Sequence, residues 1–295
     1  MRLYSLILII WVQSLYSNIS ACDVCGCASM GFSMGEWSPN AKYSIASNYG
    51  FRQFNNLGFN DNFHLAELVF TYRLNSKFHL ETRLPFIWAE RSFSNALRAN
   101  EQLQGLGDVS VSLGYELFSI LNPSSLQSLY LSAGINLPTA AYQNALAEDE
   151  LSPNFQLGTA SLDYLATLAY QINTKNYMGF AQTAYLLNTR NRYQYAFGNQ
   201  AFLNLRIGRK VKFKAAESSW LIFTGLSGEH FARDINERSY YQAGTGGSAA
   251  FADIGAYYFV ERWRISLSYQ NKIAQRKDSN YKAGNQLKLK INYSF

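Results

Sequence analysis

The chain has 295 residues, of which 16% are aromatic and only 16% are Asp, Glu, Lys or Arg, and its formal net charge is +6. Charged residues are scarcer than in a typical globular protein, where they make up about a quarter. The basic residues are scattered singly, without a basic run or a zinc-finger spacing, so nucleic acid is excluded as the expected partner. Beyond the N-terminus, no stretch is apolar for the roughly 18 residues that a membrane-spanning helix needs.

Residues 1–21 have the pattern of a secretion signal. Arg2 supplies a positive start, residues 3–12 form a short apolar core, and Ala21 offers a small residue for cleavage. Residues 19–22, ISAC, also resemble a lipoprotein box, in which Cys22 would be lipid-modified and become the new N-terminus. Both alternatives predict export, so we expect the fold to begin after residue 21.

The three cysteines, Cys22, Cys25 and Cys27, are clustered at the start of the expected mature chain. Thiolates at this spacing can bind a soft ion such as Cu(I) or Zn(II), and Met30 and Met34 can add thioether ligands that suit Cu(I). Two alternatives stay open, namely a disulfide in an oxidising compartment and a lipid anchor on Cys22. We therefore predict a cysteine-containing periplasmic segment over residues 22–40, with a candidate metal site.

Residues 41–295 alternate between apolar and polar side chains with a period of two, which predicts strands with one apolar and one wet face. About twelve such segments are long enough to cross a bilayer as tilted strands. They lie at residues 41–53, 62–74, 77–88, 107–118, 127–138, 157–170, 176–188, 199–211, 219–229, 248–259, 262–271 and 285–295. Short and long connections alternate between them, as in outer-membrane barrels.

This pattern predicts an all-β fold, a transmembrane antiparallel β-barrel of about twelve strands in the bacterial outer membrane. Its apolar face would meet lipid, and both termini would lie in the periplasm. The polar faces would place charge in the lumen, at Lys77, His79, Glu81, Arg83, Glu116, Arg264, Lys288 and Lys290. These side chains could form ion pairs that fill the lumen, or they could line a narrow, slightly cation-rich pore that favours anionic or polar solutes.

No sequence motif predicts an enzyme. No nearby residue in the sequence links His64, His79 or His230 to a catalytic group. An outer-membrane hydrolase with a Ser-His or Asp-His group at the wall is an alternative, with Ser92 or Ser94 near His64. A structural or adhesive barrel with a filled lumen is another, since the loop at 230–247 mixes charges and tyrosines.

Two internal motifs resemble a known family. Gly105-Leu106-Gly107-Asp108 opens one predicted strand, and residues 135–139, INLPT, close another. Together they resemble the outer-membrane transporters of meta-pathway phenol degradation, distant relatives of fatty-acid and aromatic-hydrocarbon channels, although Ala140 stands where LPTG-like members have glycine. The resemblance implies passage of small molecules. In structural terms, Gly105 and Gly107 allow tight backbone at the rim, Asp108 can accept hydrogen bonds there, and Pro138 ends a strand.

Both ends of the expected mature chain carry further resemblances. The last residues, KLKINYSF, resemble the C-terminal targeting strand of outer-membrane barrels. This implies that the barrel-assembly machinery is a partner, recognising the strand that ends in Phe295, together with outer-membrane lipid. The CxxCxC start is similar to that of uncharacterised exported barrels of Bacteroidetes-type bacteria, a resemblance that implies no activity.

Overall fold

The computed structural model describes residues 41–55, 58–94, 99–143, 155–212, 218–242, 245–277 and 282–295. The described strands are β1 (Tyr43–Asn55), β2 (Phe59–Arg73), β3 (Phe78–Phe93), β4 (Glu101–Leu106), β5 (Val109–Asn122), β6 (Ser125–Leu137), β7 (Asp163–Thr174), β8 (Tyr177–Leu187), β9 (Gln200–Lys212), β10 (Ser219–Phe231), β11 (Gly247–Val260), β12 (Trp263–Lys277) and β13 (Lys282–Ser294). Within these ranges, no helix is long and apolar enough to cross a membrane.

The strands pair antiparallel in chain order and close into one barrel. The ring closes at β1, which pairs with β2 on one side and with β13 on the other. The two short partners β4 and β5 pair with the two halves of β3 and together occupy one place in the wall. The wall therefore has twelve positions, which confirms the predicted all-β antiparallel barrel. Closure lets neighbouring strands satisfy each other's backbone groups, as a lipid environment requires.

Successive side chains point alternately out of the barrel and into it. On β1, Ile45 and Tyr49 are exposed, whereas Ala46, Asn48 and Arg52 are buried inside. The other strands repeat this alternation, with apolar groups such as Leu226 outside and ionisable groups inside. The predicted assignment of the two faces is confirmed. Apolar side chains are more favourable in contact with acyl chains than with water. This exterior therefore fits a membrane.

Outward aromatic side chains form a girdle at the end of the barrel that holds Tyr43 and Phe295, which we call the terminus end. Its ring pairs have centroid distances of 4.7–5.1 Å, namely Tyr43–Tyr72, Phe78–Tyr115, Trp220–Tyr258 and Trp263–Tyr293. At the opposite end, the loop end, Trp88 stacks on His64 with centroids 5.0 Å apart. Aromatic side chains at both ends of an apolar band are typical of membrane barrels.

Two segments differ from the sequence prediction. The strand expected at 157–170 begins only at Asp163, because the buried residues before it run inside the barrel as irregular backbone. Apolar residues of a loop that folds into a lumen can alternate as those of a strand do, so periodicity did not separate the two. In addition, β4 lies in the expected loop at 89–106, where it extends the wall beside the loop-end half of β3.

Candidate functional site

Ion pairs between separate strands occupy the middle of the lumen. Arg52 on β1 bonds Glu229 on β10, with side chains only 1% and 5% exposed. Arg206 on β9 bonds Asp253 on β11 at 3.1 Å, and Gln270 donates to the same carboxylate at 2.8 Å. Alternation on each strand directs these groups inward, and the barrel's curvature brings them together. Such pairs stiffen the lumen and narrow it.

A second group of ionisable side chains lines β1, β2 and β3. Arg83 bonds Glu81, with Nε 2.7 Å from Oε1, and its Nη1 lies 3.5 Å from Oε2 of Glu67. Asn48 donates to the same Glu67 oxygen at 2.7 Å. The arginine thus lies between two carboxylates, which favours its charged form despite burial. Of the predicted lumenal charges, Glu81 and Arg83 are brought together here.

A third pair lies toward the loop end and couples charge to aromatic rings. Arg91 donates from Nε and Nη2 to both oxygens of Asp61, each at 2.7 Å. The guanidinium carbon also lies 4.3 Å from the ring centroid of Phe59 and 4.4 Å from that of Phe155. Arg91 therefore bonds a wall carboxylate and stacks against a ring from a loop that enters the barrel.

That entering loop, residues 155–161, narrows the lumen at the loop end. Phe155 is fully buried and packs edge-on against Phe63, with ring centroids 5.9 Å apart. Leu157 lies beside Gly105 and Gly107, where an added Cβ would come within 3.3 Å of it. These residues join an apolar cluster with inward side chains of several strands, namely Phe54, Phe59, Leu65, Ile87, Leu103, Ala249 and Phe251.

The two motifs singled out in the sequence meet at the base of this loop. Thr139 accepts from the backbone N–H of Val109 at 2.9 Å and donates to the carbonyl of Gly107 at 3.1 Å. Asp108 accepts from the N–H of Ala140 at 3.0 Å and from the N–H of Thr159 at 2.7 Å. The sequence predicted these motifs at the rim. They lie instead where β4 gives way to β5 within the wall, and they bind the entering loop.

A small cavity lies in the lumen beside the mid-barrel ion pairs. Its volume is about 30 Å³, room for one or two water molecules. Arg206, Lys288 and Lys290 line it without any lining carboxylate, and Phe223 and Tyr257 provide apolar walls. Two of the predicted lumenal cations thus share one cavity with an arginine that is bonded to Asp253.

The remaining predicted lumenal charges are dispersed. His79 is buried against the backbone of Gly114, and Glu116 and Arg264 lie on inward faces nearer the terminus end. Lys77 is a correction, because it is exposed in the turn before β3, with its Nζ 6.0 Å from the outward ring of Tyr115. A strand's parity does not extend through a turn, so alternation misplaced this lysine.

The hydrolase alternative required a histidine beside an acid or a serine. His64 and His230 both point outward, and His64 bonds the hydroxyl of Tyr49 at 2.7 Å. His230 bonds Ser248 at 2.8 Å, so one Ser-His pair of the kind that this alternative requires lies on the outer wall. Within the described ranges, no group of three or more His, Cys, Asp or Glu side chains could hold a metal ion. The candidate ligands Cys22, Cys25, Cys27, Met30 and Met34 lie outside those ranges.

Three features of the lumen were not anticipated in the sequence. They are the Arg91–Asp61 pair, the Arg52–Glu229 pair and the entering loop with Phe155. The partner of Arg52 is 177 residues away, beyond any local pattern. A usable signal for the loop was the long connection between two strands, since long loops in compact folds often carry function.

Known proteins resemble this chain in sequence family and in barrel architecture. A family model described as "Putative MetA-pathway of phenol degradation" matches residues 30–291. An outer membrane channel from Pseudomonas putida F1 has a TM-score of 0.65 at 12% identity, over 90% of this chain and 100% of that chain. The β domain of the Bordetella autotransporter BrkA has a TM-score of 0.54 at 12% identity, over 87% of this chain and 100% of that one. No curated protein matches the chain.

Proposed function

Since the chain belongs to the phenol-degradation family whose model it matches, we propose that it is an outer-membrane barrel through which small molecules pass. The observation that carries this proposal is the lumenal cavity lined by Arg206, Lys288 and Lys290. The ammonium groups of the two lysines can donate hydrogen bonds to an anionic solute as it passes this point of the lumen.

The cavity also indicates the solute class. Its cations suit a carboxylate, and the adjoining Phe223 and Tyr257 suit an apolar or aromatic body. The entering loop narrows the route at the loop end, where its Phe155 lies in an apolar cluster. We infer that small carboxylates with an apolar group pass by local displacement of this loop and of water in the cavity.

Entry of solutes into liposomes tests the proposal. Vesicles that contain the purified protein should take up benzoate faster than benzamide, which has nearly the same shape without the charge. Replacing both lysines, Lys288→Gln with Lys290→Gln, should remove most of that difference. The control is Arg209→Gln, which removes an exposed, outward-facing cation from the same barrel. Uptake of both solutes at the rate of protein-free vesicles would overturn the proposal.

A filled barrel that binds other molecules through its loops is the second candidate. It is favoured by Tyr240 and Tyr241, which are 69% and 70% exposed on the connection between β10 and β11. Tyrosines on exposed loops are common in binding surfaces. The vesicle experiment separates the two functions, because a filled barrel passes neither solute and no lumenal substitution changes that result.

The orientation in the membrane is part of the proposal. We place both termini in the periplasm, with the terminus-end girdle at the inner interface and the longer connections outside. Phe295 accepts from the N–H of Tyr43 at 3.1 Å and packs against Tyr293, so it completes the seam between β1 and β13. We propose that the assembly machinery recognises this strand, and deleting Phe295 should lower the yield of inserted barrel.

The soft-metal hypothesis is a separate proposal that rests on the spacing of Cys22, Cys25 and Cys27. The purified mature protein should bind Cu(I) stoichiometrically, and the double substitution Cys25→Ser with Cys27→Ser should abolish binding. Equal binding by that variant would reject the site. The mass of the mature N-terminus distinguishes a free Cys22 from an acylated one, and acylation would remove one of the three thiols.

A further inference from the structure

A hollow in the outer wall near the loop end is not explained by solute passage. It has a volume of about 490 Å³ and lies across β8 to β12. Most of its outward side chains are small for a lipid-facing surface, namely Thr183, Ala201, Gly228, Ser248, Ala250 and Ala274, and Leu203 also lines it. A Cβ added at Gly228 would meet nothing within 4 Å, so the space in front of this residue is open.

The hollow has a structural cause in the pairing of β11 with β12. The register shifts between Ala250 and Phe251, and as a result the consecutive residues Ile273 and Ala274 are both exposed. A bulge of this kind bends its strand locally and increases the twist. The bend and the small side chains together leave a concave surface where the neighbouring wall carries leucine and isoleucine.

Two basic side chains flank the edge of the hollow that is nearest the loop end. His230 pairs across the sheet with Ser248, and Ser248 pairs in turn with Arg276, so the three share one row. His230 is held through Nδ1 by Ser248 at 2.8 Å, which leaves Nε2 for another partner. The nearby Glu229 points into the lumen, where it bonds Arg52, and so does not compete for these two side chains.

The height of this row matches a lipid headgroup. Trp220 and His230 lie ten residues apart on β10, and Trp220 belongs to the terminus-end girdle. At about 3.3 Å per residue and a tilt of about 40°, His230 lies about 25 Å above the girdle. That distance equals the height of the apolar band of outer-membrane barrels, so His230 and Arg276 reach the opposite interface while the hollow lies just inside the acyl region.

We propose that this hollow binds one molecule of lipid A from the outer leaflet, with a phosphate on His230 and Arg276 and an acyl chain lying over Gly228. The groups are complementary, because Arg276 is a cation and a phosphate accepts hydrogen bonds from both side chains at once. The chain fills a concave surface that straight neighbouring lipids would leave poorly packed. The site rests on the proposed orientation of the barrel, with the loop end outside, and not on whether solutes pass through its lumen.

Binding of monophosphoryl lipid A to the full-length mature protein in detergent tests the proposal by native mass spectrometry. The double substitution His230→Gln with Arg276→Gln should weaken binding by about tenfold or more, as expected for losing charge-assisted contacts. Gly228→Leu should weaken it to a similar degree by filling the hollow, and its open surroundings make this variant compatible with folding. The matched control Arg209→Gln should bind as the wild type does.

Dephosphorylated lipid A should bind the wild type as weakly as monophosphoryl lipid A binds the double variant. Equal affinity of the wild type for both lipids would overturn the phosphate contact, and binding unchanged in both the double variant and Gly228→Leu would overturn the site. If inorganic phosphate saturated the protein and lipid A did not compete with it, that result would also overturn the site. Heat-modified migration on gels verifies that each variant is a folded barrel.

Discussion

Asp108 and Thr159 are 51 residues apart in the chain, and the side chain of one binds both the backbone and the hydroxyl of the other. The N–H of Thr159 donates to Asp108 at 2.7 Å and its hydroxyl approaches the same oxygen at 3.1 Å. The hydroxyl also lies 2.7 Å from Asp163, at the start of β7. This threonine therefore anchors the loop that enters the barrel to the wall on both sides.

Replacing Thr159 by valine should loosen the entering loop. Valine keeps the shape but removes the hydroxyl, which leaves two buried carboxylates with one partner fewer and costs about 1–3 kcal/mol. Uptake of benzoate into vesicles should rise, and unfolding in urea should need less denaturant. Thr159→Ser keeps the hydroxyl and should behave as the wild type does in both measurements. Equal uptake by the valine and serine variants would show that this contact does not restrain the loop.

Removing one partner of the Arg91–Asp61 pair should destabilise the barrel more than replacing both partners. Arg91→Met leaves a buried carboxylate without its cation and should lower the free energy of unfolding by about 3–5 kcal/mol. Arg91→Met combined with Asp61→Leu should recover most of that loss. Arg238→Met serves as the control, because its 3.9 Å pair with Glu237 is exposed and its loss should cost less than about 1 kcal/mol. Additive effects of the two lumenal substitutions would argue against coupling.

Gly114 should be intolerant of a side chain because of His79. A Cβ built on Gly114 lies 1.7 Å from the His79 ring, so Gly114→Ala forces the buried ring to move. We expect a loss of about 1–3 kcal/mol, seen as a lower fraction of heat-modifiable, folded barrel. His79→Ala in the same chain should restore folding by removing the clash. Gly58→Ala is the control, since its added Cβ meets nothing within 4 Å. Failure of His79→Ala to rescue would place the clash elsewhere.

A charge on the outer wall should be costly although the position is exposed. Leu226 is 54% exposed near the middle of β10. In a membrane, Leu226→Arg should lower the free energy of unfolding in lipid vesicles by about 2–4 kcal/mol, whereas a solvent-facing position would change by about 0.5 kcal/mol or less. The control Tyr241→Arg lies on a loop and should have little effect. A Leu226→Arg variant as stable as this control would contradict the lipid-facing orientation.

The sequence by itself determined the barrel, its approximate strands and the face that each side chain takes. Alternation is a local property: once β13 is extended, Leu289 and Lys290 must point to opposite sides, and only one assignment puts leucine in lipid. The same logic placed Glu81 and Arg83 inside. It did not extend to Lys77, because a turn breaks the parity of the strand.

Only the tertiary structure decided what the inward side chains do. Arg52 meets Glu229, and Phe155 meets Arg91, through contacts between segments far apart in the chain. Closure of the twelve wall positions sets which faces confront each other, and the bulge at Ile273 sets where the outer wall is hollow. A period of two reveals neither the contacts between inward side chains nor the place of the hollow, since it records the direction of a side chain and not the distance to its partner.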